Sequence, residues 1–365
     1  MDNKAKYWCA FSKLTKTGSA FVNTVFKYFG SIELAWHAQA YDLWKIEGLQ
    51  KRSLEGFLEE RNKINPDECY EYIKKRGFDF IYPEEDRYPY LLKQIDNPPS
   101  GLFMVGDINS CNLERTIAVV GSRKASENSK NTLRHILEGL HDTDVCIVSG
   151  MAEGIDTVAH KTAVDNNLKT IAVIGGGFDR IYPKSNIKLF NQIKEGAGAV
   201  LTEYWPDVDA ISWHFPARNR IVSGLSKGVL VAEAAIKSGA MITANLALEQ
   251  GRELMCMPGL ISNPNTEGIY KLIKTGAAIV TNHNDILDAM NWQINTKEIK
   301  QKEIKSNFSE EEQIVIECIQ KDMLTLDEII LKTNLNINDL MVILTKLELN
   351  GTIAQTNGDK YISLL

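Results

Sequence analysis

The sequence predicts an α/β chain with a parallel sheet at its centre, an all-helical module before it and a winged helix after it. Three observations predict this. Over residues 1–78 apolar residues recur at helical spacing. From Arg115 to Leu287 short Val/Ile-rich runs alternate with helical stretches, the pattern of a sheet covered on both faces. After residue 307 three helical patterns lead into two short strands, the order of a winged helix.

In the first segment Phe21, Val22, Val25, Phe26 and Phe29 mark one helical face, with Gly30 and Gly48 as breaks. The Gly48-Leu49 step resembles the turn of helix-hairpin-helix and sterile-alpha-motif-like (SAM) modules, which contact the DNA backbone. A plain packing module is the alternative. Residues 79–106 read as a connector rich in Tyr, Pro and Asp, in which prolines exclude a helix. Seven strands are then expected, at Thr116–Val120, Val145–Ser149, Thr170–Ile174, Ala199–Glu203, Val229–Ala232, Leu254–Met257 and Ala277–Val280. Right-handed crossovers would join them into an extended Rossmann-like parallel sheet, whose ligands bind at the carboxyl ends of the strands. The core thus spans 79–290, a polar linker 291–307, and the winged helix 308–365, with Asn357-Gly358-Asp359 turning between its strands.

Composition narrows the function classes. With 44% hydrophobic and 24% charged residues the chain reads as an ordinary globular protein. It has no apolar run of membrane-spanning length and no signal-peptide order, so cytoplasm is the expectation, with no membrane partner. Six scattered cysteines without a CxxC pair read as reduced core residues, not as metal ligands or disulfides. The net charge of −6 is concentrated at one end: residues 308–365 hold four lysines against ten acids, which leaves residues 1–307 neutral. Within that neutral part, Arg218, Arg220 and Lys227 lie in a stretch with no acid, and Arg123, Lys124, Lys130 and Arg134 face only Glu127. An acidic chain can therefore carry a basic patch.

The motifs fall at the strand ends. Gly121-Ser122-Arg123 follows a strand and precedes a helix opened by Ser126 or Asn128, a place where backbone amides and a guanidinium hold a phosphate. A tight turn with a surface arginine is the duller reading. In Ser149-Gly150-Met151-Ala152-Glu153-Gly154-Ile155-Asp156, two glycines bracket a loop, and Asp156 caps the next helix or binds loop amides. Gly175-Gly176-Gly177 with Asp179 and Tyr182-Pro183 marks a third strand end. Neither GxGxxG nor a P-loop occurs, so no nicotinamide or ATP cofactor is expected. His160 and His214 read as packing residues. The most specific string, Phe215-Pro216-Ala217-Arg218-Asn219-Arg220, leads into the next strand. It offers an aromatic face for a base and guanidinium groups for phosphates. One arginine is expected to be structural and one to reach the ligand. Alternatively Phe215 is core and an arginine bridges to a buried acid such as Glu233. Ser238 to Thr243 opens a helix that Gly251-Arg252 closes, and Pro258-Gly259 makes a tight return.

In this order the strings GSR, SGMAEGID, GGGFDRIYP, FPARNR, SGAMIT and GRELMCMPG resemble the DNA-processing protein A family (DprA, or Smf), over about residues 80–290. The resemblance implies a dimer that is not an enzyme, needs no cofactor, binds single-stranded DNA and loads the RecA recombinase during natural transformation. It places DNA on Arg123, Phe215, Arg218 and Arg220, with Lys184 and Lys188 extending the track. Gly121, Ser122, Gly150, Gly154, Asn219, Ser238 and Thr243 complete that set. Asp156, Tyr182, Pro183, Gly251, Arg252, Pro258 and Gly259 are taken as structural. The winged helix departs from a duplex reader: it has no arginine, and Asp339 and Glu348 oppose Lys346 on the presumed recognition helix, which suggests a protein contact. The rival reading is a nucleotide-hydrolysing enzyme or nucleotide sensor of the lysine-decarboxylase-like class, with Glu203 or Glu233 as the acid. Its PGGxGTxxE string is absent.

Overall fold

Helix ends in the N-terminal region are set by local chemistry. The helices are α1 (Asn3–Ser12), α2 (Ser19–Phe29), α3 (Ile32–His37), α4 (Ala40–Leu43), α5 (Lys51–Arg61) and α6 (Pro66–Lys75). Gly30 closes α2 in the left-handed region, and the Ser31 side chain then accepts the Leu34 N–H to open α3. Asn65 accepts from the amides of Asp67 and Glu68, with Pro66 at the first helical position of α6. The apolar stripes so created bury Trp8, Phe11, Phe21 and Phe57, the second and last stacked at 5.3 Å.

This core is not private to the helices. It continues into Phe80, Phe103, Ile174, Phe178, Val200 and Trp205. Tyr72 of α6 stacks on Trp205 at 5.9 Å, and Arg76 pairs with Asp179. Packing therefore runs across residue 78 without a break.

The computed structural model describes residues 3–292, 309–321, 323–333, 335–349, 352–355 and 360–363. They fall into two units, residues 1–293 and 294–365. The polar stretch Asn295 to Asn307 and the Asn357-Gly358-Asp359 turn lie outside the described residues.

The connector corrects the sequence reading. It holds β1 (Asp79–Ile81), the one-turn helix α7 (Tyr90–Lys93) and β2 (Leu102–Gly106). Pro89 does not forbid the helix; it sits at the N-cap with φ −55°, where a missing amide hydrogen costs no intrahelical bond. β2 was hidden by its proline-rich context, although its residues are apolar on both faces. Phe103 and Val105 join the core under the helices, while Leu102 and Met104 join the core of the opposite face.

All seven expected strands are present as β3 (Thr116–Gly121), β4 (Cys146–Ser149), β5 (Thr170–Val173), β6 (Gly198–Thr202), β7 (Gly228–Glu233), β8 (Glu253–Cys256) and β9 (Ala278–Ile279). The sheet order is β1-β2-β6-β5-β4-β3-β7-β8-β9. From β6 to β9 every pairing is parallel, whereas β2 runs antiparallel to both β1 and β6, so the sheet is mostly, not wholly, parallel. The crossover helices include α8 (Glu127–Glu138), α9 (Ile155–Asp165), α10 (Ile187–Gln192), α11 (His214–Gly224) and α12 (Gly239–Glu249).

In the second unit the helices Glu310–Lys321, Leu326–Thr333 and Ile337–Leu349 pack with strands Leu324–Thr325, Lys360–Ser363 and Ile353–Gln355 around Val315, Ile319, Ile329, Leu340 and Leu347. This is the winged helix. Its helix Ile337–Leu349 exposes Ile337, Met341 and Val342 beside Asp339 and Glu348. Among the described residues no helix is long and apolar enough to cross a membrane.

Because Trp8 is fully buried in the shared core, Trp8→Ala should cost about 4 kcal/mol. Native-state hydrogen exchange is expected to show α1–α6 and β2 losing protection together. Loss confined to the helices would contradict a shared core.

Candidate nucleic-acid interface

β3 and β7 are neighbours, yet the chain proceeds from β3 towards β4, β5 and β6 on one side and from β7 towards β8 and β9 on the other. Loops leaving the carboxyl ends of two such strands diverge and open a crevice. Here the crevice measures about 470 Å³. It is walled by Gly121 to Arg123, by Ala152 and Asp156, by the first turns of α11, and by Ser238 to Thr243 entering α12. The FPARNR string thus lies on α11 itself, with the strand following later.

The start of α8 does not wait for a phosphate. Ser126 is its N-cap, as expected, but the fully buried Glu233 at the end of β7 occupies the site: its carboxylate accepts from the Ser126 N–H, and from the Ser126 and Ser129 hydroxyls at 2.7 Å each. The helix dipole is complemented from within. The helix start that does face the crevice is that of α12. Ser238 caps it through the Met241 amide, and Gly239 and Ala240, whose amides have no intrahelical acceptor, line the wall.

Both arginines of the FPARNR string are tied down, against the expectation that one would reach the ligand. Arg218 is buried, and its guanidinium donates to the carbonyls of Gly150 and Val173 at the ends of β4 and β5. A side chain on Gly150 would collide with it. Burial lowers the Arg218 pKa to about 10, with Asp156 opposing and Arg123 adding to the fall, so the group stays charged at neutral pH. Asp156, also buried, accepts the Ala152 N–H at 3.3 Å; burial raises its pKa and Arg218 draws it back down. Arg220 donates to Asn97 O at 2.9 Å and to Glu203 at 2.7 Å. The acid that takes an arginine is therefore Glu203, not Glu233. Glu203 also accepts from the Ser19 hydroxyl.

Arg123 is the exposed cation of the crevice. Its guanidinium lies over the half-buried Phe215 ring, 4.7 Å from the centroid, and has no carboxylate partner among the described residues. Gly154, at φ 82°, lets the second loop pass close beneath the Ser122 and Arg123 carbonyls, where a side chain would clash. Gly121 packs on Ile155, Ser122 accepts the Lys124 amide, and Asn219 donates to Gly239 O at 3.3 Å. Thr243 is buried and bonded to Gly239 O. Lys184 and Lys188 are exposed beside the crevice loops.

The residues expected to be structural divide. Gly251 closes α12 at φ 67°, Arg252 donates to Leu91 O and Gly224 O, and Gly259 O accepts from Tyr270. Pro183 is buried and Pro258 exposed. Tyr182 is the exception, with its ring 53% exposed. That exposure is not legible in the Tyr-Pro string, although Lys184 follows two residues later and Lys188 six. His160 and His214 are both buried: His160 Nδ1 meets Thr170 Oγ1 at 2.7 Å, and His214 stacks on Tyr204 at 3.9 Å.

The chain is similar to known proteins. The family model described as DNA recombination-mediator protein A matches residues 79–291, and that described as the DprA winged helix domain matches 302–359. Protein Smf of Synechocystis is 30% identical over 99% of both chains. The X-ray structure of DNA processing protein A from Streptococcus pneumoniae aligns with TM-score 0.68 and 36% identity, over 79% of this chain and 98% of that one. A structure described as revealing the single-stranded DNA binding mode of DNA processing protein A from Helicobacter pylori aligns with TM-score 0.53 and 28% identity, over 59% of this chain and 95% of that one.

His160 supplies a test of the charged floor. Burial, then the Arg218 charge, hold its pKa at about 3 against 6.5 when free. The unfolded chain takes up a proton below 6.5 that the folded one refuses, so stability present above 6.5 is lost as pH falls towards 3. The slope from this site is about 1.4 kcal/mol per pH unit. Urea denaturation at neutral and mildly acid pH should show a steeper decline for the wild type than for His160→Gln. Equal declines would contradict a buried neutral imidazole.

Proposed function

The chain belongs to the DNA recombination-mediator protein A family, also called DprA or Smf, and from that premise we propose that it is a single-stranded DNA-binding recombination mediator. In this reading it protects incoming or exposed single strands and loads RecA onto them. The observation that carries the reading is Arg123: an exposed guanidinium without a carboxylate partner among the described residues, held over an aromatic ring at the mouth of the switch-point crevice.

The chemistry of the walls suits a phosphodiester chain. Arg123 offers a charge-assisted donor fork, and the α12 amides offer neutral donors at a positive helix end. Every one of these contacts addresses phosphate, so binding would be indifferent to base sequence. Two crevices in a homodimer would hold a long strand by avidity. The process is binding without bond-breaking. The rival hydrolytic reading needs Glu203 or Glu233 as a free acid, and both are consumed by internal hydrogen bonds outside the crevice lining.

Arg123→Ala should weaken binding to labelled oligo-dT about 10-fold and reduce the slope of log affinity against log salt by about 0.7, one phosphate contact on a single strand. A titration beside duplex of equal length, with and without recombinase, reads affinity, strand preference and loading together. Unchanged affinity and slope would remove Arg123 from the interface.

A further inference from the structure

Phe215, the ring that sequence reasoning offers to a base, is already engaged. Arg123 lies over it, and it packs down onto the Gly175 backbone. Tyr182 is the less encumbered ring. It stands 5.8 Å from Phe215 at 51°, and is 53% exposed although Pro183 beside it is buried. Tyr182, Phe215 and Arg123 border a shallow recess with Gly150, Ala152 and Glu153. That recess adjoins the crevice, since Arg123, Ala152 and Phe215 line both.

Beyond Tyr182 the chain presents Lys184 and Lys188, both exposed and without a carboxylate partner among the described residues. Their segment is anchored, not loose. Asn186 is buried and donates to Met151 O and to Thr157 Oγ1, each at 2.8 Å, while Ser185 donates to Glu153 at 3.3 Å. The positions of the aromatic and the lysines are therefore fixed relative to the crevice loop. Glu153 is the acid of the recess. Its charge repels a phosphate but not a base, so a strand crossing here turns its bases towards the recess and its backbone towards the lysines.

Resting on the single-strand reading above, we infer that Tyr182 is a second base-stacking platform, so the strand leaves the crevice along the edge where the family resemblance already puts Lys184 and Lys188 on the phosphates. The known family motif strings place the aromatic contact on Phe215; this inference adds a ring and a direction.

The test compares a short oligo-dT that fills only the crevice with a long one that must run past it. For the long strand Tyr182→Leu should lose about 10-fold in affinity, within the range for one lost stack, while Tyr182→Phe keeps wild-type affinity. Lys184→Ala with Lys188→Ala should reduce the salt slope by about 1.4. The short strand should bind all variants alike. Circular dichroism checks that each variant folds. If Tyr182→Leu and the double lysine variant bind the long strand like the wild type, this inference fails while the functional reading stands. An equal loss for both lengths would also overturn it, by showing that Tyr182 acts through the crevice. If the wild type binds neither strand, the functional reading falls and takes this inference with it.

Discussion

A buried guanidinium governs the geometry of this protein. Arg218 sits at the junction of three segments, donating to carbonyls at the ends of β4 and β5 and facing Asp156 at the start of α9. Burying such a charge costs several kcal/mol unless hydrogen bonds and an opposing charge offset it, and these partners supply both. One consequence is positional: the glycine loop after β4 cannot drift from α11 without stranding the charge. Another is electrostatic, because Arg218 stays charged at neutral pH with Asp156 opposite it. Arg123 then stands at the mouth with no carboxylate partner among the described residues.

The same economy of internal partners explains what the crevice lacks. Glu203 and Glu233, the two candidate catalytic acids, lie outside the crevice lining and are satisfied internally, while Asp156, which does line it, faces Arg218. Glu233 caps α8 from inside, and Glu203 joins Arg220 to the N-terminal helices through Ser19. The all-helical module therefore does more than precede the core. It shares the hydrophobic core, shields β2 and β6, and reaches the loop after β5 that carries Asp179 and the loop after β6 that carries Trp205.

Much of this was legible in the sequence for physical reasons. Parallel strands buried on both faces appear as continuous apolar runs, so β3 to β9 could be located to within a residue or two. Motif strings placed the crevice at the correct strand ends. What stayed hidden depended on partners distant in the chain. Nothing local to FPARNR says that Gly150 O and Val173 O claim Arg218, or that Glu203 claims Arg220. Nor does the string before α8 show that Glu233, over a hundred residues later, fills its helix start. β1 and β2 were masked by a proline-rich context, and Tyr182 by its neighbour Pro183, which reads as architecture.

The proposed function requires that unpaired DNA lie in the switch-point crevice against Arg123 and its aromatic neighbours. The most direct measurement is photocrosslinking of an oligo-dT carrying a photoreactive uracil, followed by mass-spectrometric mapping of the modified peptides. The account predicts adducts on Phe215 and Tyr182 that disappear with excess unlabelled single strand. Competable adducts confined to the N-terminal helices or the winged helix would contradict it.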